Sequence, residues 1–337
     1  MNNPVGLYIH LPWCLRKCPY CDFNSHSVRG VVPFERYAEA LLVDLGQALE
    51  TNAGRGIASV FIGGGTPSLF PPATLAPVLA LVRSASRPEA EITLEANPGA
   101  ADEARFAAFH AQGVNRLSIG IQSFDDRSLQ ALGRVHQASD GLRAMANARS
   151  AGFGRINLDL MFALPGQTLE QAIADIEQAI DLGPEHISSY QLTIEPNTVF
   201  HRRPPQLPDE ELAWAMQDAI GQRLRQAGYQ QYEVSAWARP GEACQHNLNY
   251  WRYGDYLAIG AGAHGKLGHD AGRHIVRHRN MTVPERYIEQ ALLGQPQAQS
   301  WVVSDADKPL EFLMNRFRLL EPFTASDYRQ GTGLAFE

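Results

Sequence analysis

The sequence predicts an α/β fold: a partial (β/α)6 TIM-like barrel followed by an α+β extension. Three observations carry this. Six short runs rich in apolar and β-branched residues recur at 6–11, 57–62, 91–96, 116–121, 155–161 and 186–193. Most are followed by a segment of helical periodicity, the pattern of parallel strands in βα units. The rhythm then breaks near residue 228, dividing the chain into a barrel at 1–228 and an extension at 229–337.

The helix after the first strand is expected over 33–49, where Phe34, Tyr37, Leu41, Leu45 and Leu49 recur at spacings of three and four. Pro33 suits its first turn. A helix over 168–181 opens with Thr168-Leu-Glu-Gln171, a capping-box pattern, and carries Ile173, Ile176 and Ile180. A third, over 209–227, starts at an acidic cap and carries Leu212, Met216, Ile220 and Leu224. Further helices are expected at 73–84, 101–111 and 139–151. In the extension, 229–238 is strand-like, 245–256 is dense in aromatics, 259–268 is glycine-rich, and 273–277 suits an added edge strand. Helical character returns at 284–293 and 308–320, and the final GTGLAFE offers no closing element, so the extension reads as truncated.

Composition narrows the function. The 337 residues are 45% hydrophobic and 19% charged, with a net charge of -7. That balance fits a globular protein and argues against a general nucleic-acid binder, which is usually basic. Four cysteines, three of them clustered, do not suggest a disulfide framework and fit a reducing cytoplasm. Neither a secretory leader nor a run of about 18 apolar residues is visible. Peripheral membrane association and a homodimer are both compatible with this composition.

The chemistry concentrates in Cys14-Leu-Arg-Lys-Cys18-Pro-Tyr-Cys21, just after the first strand. Four protein ligands close a structural zinc site, and four cysteines hold an ordinary [4Fe–4S] cluster. Three thiolates leave one iron with an open position for a small molecule. Arg16 and Lys17 oppose the thiolate charge. A zinc loop or a redox thiol cluster is the alternative.

The spacing C-x3-C-x-Tyr-C resembles that of the radical S-adenosylmethionine (SAM) family. The resemblance implies a [4Fe–4S] cluster on Cys14, Cys18 and Cys21, with SAM chelating the fourth iron, and cleavage of SAM to methionine and a 5′-deoxyadenosyl radical by an electron from the cluster, with an electron donor as partner if SAM is cleaved. The partial barrel is also that family's core fold, with its chemistry at the C-terminal ends of the strands.

Several residues fall at those ends. Gly64, Gly65 and Thr66, in Gly63-Gly-Gly-Thr-Pro67, follow the second strand. Glycines let the backbone pass close to a ligand, and the family's matching motif binds the SAM amino group; a tight turn is the alternative. Glu95 closes the third strand and Gln122 the fourth, Arg134 lies in the next loop, and Asp159 is on the fifth. Each is polar in apolar surroundings and needs a partner, which a ligand or a structural bond can supply. Each also matches a SAM-contacting position of the family. Tyr8 and Tyr20 flank the cysteines and suit shielding or adenine stacking, with barrel packing as the alternative for Tyr8. His10 fits either a cluster-side or a structural role.

His246-Asn-Leu-Asn-Tyr-Trp251 is the second distinctive run. Histidine is a common axial ligand to haem, and aromatics suit a macrocycle face; a hydrogen-bonded packing motif is the alternative. His264, in GAHG, is a weaker candidate, and Cys244 reads as a small buried residue. With YIHLPWC, CPYCDFNSH, FIGGGTPSL, LEANPG, GIQSF, LDLMFALPGQ, YQLTIEPNT, IGAGAHG and FLMNRFRLLE, the chain resembles the HemW-type haem chaperones nearly throughout.

These chaperones are relatives of the oxygen-independent coproporphyrinogen III dehydrogenases. The dehydrogenases carry a further Cys just after the third, where this chain has Asp22-Phe23, and an N-terminal extension before the cluster, which is not seen here. Their family continues further at the C-terminus. The resemblance implies a haem chaperone delivering haem to acceptor proteins, respiratory ones among them, with His246 as a haem contact and no catalytic residue assigned. Radical SAM oxidation of coproporphyrinogen is the alternative, so whether the chain is an enzyme stays open.

Overall fold

The computed structural model describes residues 4–269 and 271–336. Two compact units share the chain. One comprises the residues up to Pro12, Arg29–Thr93 and the chain from Cys244 onward; the other comprises Trp13–Val28 and Leu94–Ala243.

Six strands appear where the six apolar runs predict them: β1 (Val5–Leu11), β2 (Ile57–Gly64), β3 (Ser86–Ala96), β4 (Arg116–Gln122), β5 (Ile156–Phe162) and β6 (His186–Gln191). Helices alternate with them: α1 (Phe34–Thr51), α2 (Pro72–Ala85), α3 (Glu103–Ala111), α4 (Asp126–Ala131), α5 (Ala138–Ser150) and α6 (Leu169–Leu182). A short α7 (Val199–Arg202) and the long α8 (Glu210–Gln226) follow β6. The capping box at α6 forms as read, with Thr168 and Gln171 exchanging side-chain bonds with the backbone.

In the first unit, β1 pairs in parallel with β2. Leu7, Ile9, Val60 and Ile62 form one face, each 1% exposed or less. The register sets Gly6 beside Ser59, Tyr8 beside Phe61 and His10 beside Gly63 on the other face. Parallel strands buried on both faces read as near-continuous apolar runs, which is why they were legible.

Residues 229–337 contain β7 (Gln230–Gln231), β8 (Ala236–Ala238), α9 (Gln245–Trp251), β9 (Tyr256–Ile259), β10 (His264–His269), β11 (His274–Asn280), α10 (Pro284–Leu292), β12 (Gln297–Val302), α11 (Lys308–Arg316) and α12 (Ala325–Thr332). Strand β9 pairs in parallel with β1, and β10, β11 and β12 continue from it as antiparallel neighbours. The 273–277 segment is therefore not an edge. Its strand is paired on both sides, and the edge is β12, whose exposed and mostly polar QAQSWV carries no strand-like apolar pattern.

In the second unit, β4, β5 and β6 are parallel neighbours, and β8 and β7 add antiparallel to β6. Among the described residues no helix is long and apolar enough to cross a membrane.

Candidate functional site

In the second unit the three cysteines occupy a short, closely bonded loop. Trp13–Cys14 pairs with His26–Ser27, and the Val28 amide donates to the Cys14 carbonyl at 2.9 Å. The Cys21 amide donates to the Cys18 carbonyl at 3.1 Å, which draws these two residues into one turn. None of the three is in a disulfide; Cys14 is buried, and Cys18 and Cys21 are half-buried. Ser25 Oγ lies 3.3 Å from Cys21 Sγ. Lys17 turns its ammonium to the Phe23 carbonyl at 2.9 Å, which stabilises the loop's fold. Among the described residues no three His, Cys, Asp or Glu side chains converge as ligands of a single metal ion.

Arg134 reaches one of these thiols. Its guanidinium lies 3.7 Å from Cys18 Sγ and donates to the Gly120 carbonyl at 2.8 Å. Its Nε is buried with no partner. Burial opposes the guanidinium charge, but Tyr20 and Cys18 outweigh it and raise the pKa. Burial likewise holds the Tyr20 phenol in its neutral form, against the pull of Arg134. The Tyr20 ring packs on Leu132, Met161, Leu164, Leu192 and Phe200.

Gln122 ends β4 at a bulge and takes φ 70°, an uncommon left-handed conformation for a residue with a side chain. Its side-chain oxygen accepts from Tyr190 OH at 2.8 Å. Gly120 beside it has no room for a Cβ without crowding Gln122 Nε2, 3.0 Å away, and the Arg134 guanidinium, 3.4 Å away. Asp159 accepts from Ser118 Oγ at 2.8 Å and Asn157 Nδ2 at 2.9 Å. Burial raises its pKa, and those bonds offset only part of the rise. Glu95 is the half-buried penultimate residue of β3.

Sequence reasoning missed the supports behind this set. Asp175 on α6 accepts from Ser123 Oγ at 2.7 Å and the Phe124 amide at 2.6 Å, bracing the loop after Gln122. Burial pushes the Asp175 carboxyl up to about 6. The chain Asp159–Ser118–Asn157–His186–Tyr232 was also unread. In it His186 meets Asn157 Oδ1 at 2.6 Å and Tyr232 OH at 2.9 Å. Alternating polar residues on β4, β5 and β6 were the available signal.

In the first unit, Tyr8 OH bonds His10 Nδ1 at 2.9 Å, and Tyr37 OH donates to the His10 carbonyl at 2.8 Å. Gly64 has φ 123°, and a Cβ there would lie 2.7 Å from the His10 ring. The Gly65 amide donates to the Leu11 carbonyl at 2.8 Å, and buried Thr66 opens the Pro67–Leu69 turn. This cradle needs glycine for both conformation and space.

His246 lies near the other end of the same strands. Its Nδ1 is 3.2 Å from Ser59 Oγ, its ring is 5.5 Å from the Phe61 ring, and it is 7% exposed. Phe61 in turn stacks on Tyr8, at 6.5 Å between ring centroids. Glu91 Oε1 accepts from the Gln245 amide at 2.9 Å, the His246 amide at 3.3 Å and the Cys244 thiol at 3.3 Å. Of the two readings of this motif, the geometry is that of the hydrogen-bonded packing one. Cys244 is buried, as read. His264 lies on β10 beside Arg279, and its partial burial with the nearby cations lowers its pKa.

Comparisons with known proteins follow the same lines. Residues 8–179 match the Radical SAM superfamily. Heme chaperone HemW of Escherichia coli K12 is 49% identical over 333 residues, covering 98% of this chain and 87% of the relative. The bovine mitochondrial radical S-adenosyl methionine domain-containing protein 1 is 41% identical over 300 residues, covering 87% and 68%. Among solved structures, Escherichia coli coproporphyrinogen III oxidase (HemN), described as a radical SAM enzyme, matches with a TM-score of 0.83. It is 23% identical, with 98% of this chain and 79% of that one covered, a likeness that shows the fold.

Proposed function

Because the chain belongs to the radical SAM superfamily and, within it, to the HemW haem-chaperone family, we propose that it binds haem and passes it to haem-accepting proteins, with a SAM-ligated [4Fe–4S] cluster in its barrel. The observation that carries this reading is the 49% identity to a haem chaperone across 98% of the chain.

The residues present fit both groups. Cys14, Cys18 and Cys21 stand in one loop outside any disulfide, and the Arg134 guanidinium lies 3.7 Å from Cys18 Sγ. In this proposal those three cysteines hold the cluster. Gly64, Gly65 and Thr66 supply close backbone approach to SAM, and Glu95, Gln122, Arg134 and Asp159 offer polar contacts. Tyr8 and Tyr20 supply ring faces. The buried, unpartnered Arg134 Nε suits a ligand acceptor. When bound, the cluster supplies an iron with an open coordination position and access to one-electron chemistry. The chain's own residues orient the ligand and place the three cysteines in one loop.

The acceptors in this reading are haem-dependent respiratory proteins in the cytoplasm or at the membrane surface, and an electron donor is needed only if SAM is cleaved. His246 stays a haem contact only if its ring leaves the Ser59–Phe61 pocket. The test is an anaerobic titration of reconstituted protein with haem, run beside an assay with coproporphyrinogen III, SAM and reductant. Haem binding without coproporphyrinogen consumption supports the chaperone; protoporphyrinogen formation overturns it. Replacing any one of the three cysteines by alanine should abolish the iron–sulfur absorbance, and retained absorbance removes that cysteine from the ligand set.

A further inference from the structure

The second unit contains a cavity of about 750 Å³ beside β6, away from the cysteine loop in sequence and built from other residues. Its origin is local. Strand β8 pairs only with the first part of β6, from Ala236 opposite Ser188 to Ala238 opposite His186. Beyond the Ser189 amide, which donates to the Ser235 carbonyl at 2.8 Å, β8 no longer covers that edge. Helix α8 supplies the facing wall. Trp214, Gly221 and Arg225 all line the cavity at helical spacing.

The walls are mixed, with aromatic and aliphatic faces beside serine, threonine and glutamine side chains. Trp237 and Phe162 are buried, Ile220 lies with them, and Trp214 stands 69% exposed at the mouth. Gly221 lets the Trp237 ring lie against the helix: a Cβ there would touch that ring at 3.4 Å. Two polar groups stand out. Ser189 is 7% exposed, and its Oγ has no hydrogen bond among the described residues. The Arg225 guanidinium lies 5.6 Å from the centre of the Trp237 ring. Among the described residues it makes no ion pair. The one acid in the lining, Asp218, is held by Gln222 Nε2 at 2.8 Å.

The geometry points to this cavity as the seat of a flat, largely apolar anion, and, on the chaperone reading, of haem itself. Its volume falls within the roughly 300–1,000 Å³ of small-molecule pockets. Indole and phenyl faces suit a macrocycle plane, and an unpaired guanidinium suits a propionate. The lining contains no His, Cys or Met. Porphyrin is held there by faces and charge rather than by an axial bond to iron, an attachment that can be surrendered to an acceptor that offers one.

The test titrates the full chain with haem and with iron-free protoporphyrin IX, reading porphyrin absorbance and tryptophan fluorescence. Both should bind with affinities within a few-fold of each other. Trp214→Ala and Arg225→Gln change exposed side chains and should each weaken both by about tenfold. Haem binding unchanged in both variants, or binding that demands iron, refutes the cavity assignment and leaves the chaperone reading intact. A wild-type chain that binds neither porphyrin refutes the chaperone reading itself.

Discussion

Replacing Gly64 by alanine should be among the most damaging small substitutions in the barrel. The backbone there has φ 123°, and the new methyl would sit 2.7 Å from His10 Cε1 and 2.9 Å from both ring nitrogens. His10 cannot simply retreat, because Tyr8 OH holds its Nδ1 at 2.9 Å and Tyr37 OH holds its carbonyl at 2.8 Å. The strained backbone costs about 1–3 kcal/mol. The overlap costs about the same again. At about 2–4 °C per kcal/mol for a unit of this size, a total near 4 kcal/mol lowers Tm by roughly 8–16 °C. Thermal denaturation of the cluster-free chain reads this directly. The two contributions separate in a double mutant: His10→Ala removes the ring but not the backbone strain. Gly64→Ala combined with His10→Ala should therefore be less destabilised than the sum of the single variants, by about 1–3 kcal/mol. A Gly64→Ala chain as stable as wild type, or strict additivity with His10→Ala, refutes the cradle.

Other expectations follow from the buried charges. Burial pushes the carboxyls of Asp44 and Asp175 up to about 6, although Asp44 accepts from Tyr287 OH at 2.7 Å and Asn280 Nδ2 at 3.0 Å. A carboxyl that keeps its proton longer in the folded state than in the unfolded one costs stability as pH rises from near 4 to near 6, by about 3 kcal/mol per group. Asp44→Asn should therefore gain on wild type across that window in a Tm-versus-pH series and hold a constant difference above it; a difference independent of pH contradicts the assignment. Arg134→Gln should weaken SAM binding by about tenfold or more while cluster iron content is retained, and Arg134→Lys should not restore it, because the fork that meets both Cys18 and Gly120 is lost. Calorimetric SAM titration with iron analysis decides this, and undiminished affinity removes Arg134 from the pocket. Glu91→Ala should strip the start of α9 of its acceptor and lower Tm by several degrees, about 2–3 kcal/mol, and an unchanged Tm would dismiss this anchor.

What the sequence made legible follows from periodicity. Leu7, Ile9, Val60 and Ile62 alternate on strands buried on both faces, so β1 and β2 could be read within two residues of their ends. Thr168 and Gln171 announced α6 by local chemistry alone. The cysteine loop was legible because its spacing is covalent. Pairing between distant segments was not. Nothing in Tyr256–Ile259 marks it as the parallel neighbour of β1, and nothing in Gln297–Val302 marks an edge strand. His246 shows the same limit at the level of the site. Its motif suggested a ligand, but Ser59 and Phe61, which enclose it, lie nearly two hundred residues earlier. Asp44 and Asp175, acidic residues on amphipathic helices, gave no sign of burial, because a helical pattern tolerates one polar residue on its inner face when distant donors meet it.

The central claim is that this chain carries haem rather than oxidising a porphyrinogen. The most direct measurement mixes haem-loaded, cluster-reconstituted protein with a haem-free acceptor under anaerobic conditions, and follows haem absorbance on the acceptor beside coproporphyrinogen turnover. Haem appearing on the acceptor, with coproporphyrinogen untouched in the presence of SAM and reductant, is the result expected. Protoporphyrinogen accumulating with no haem transferred would contradict the account.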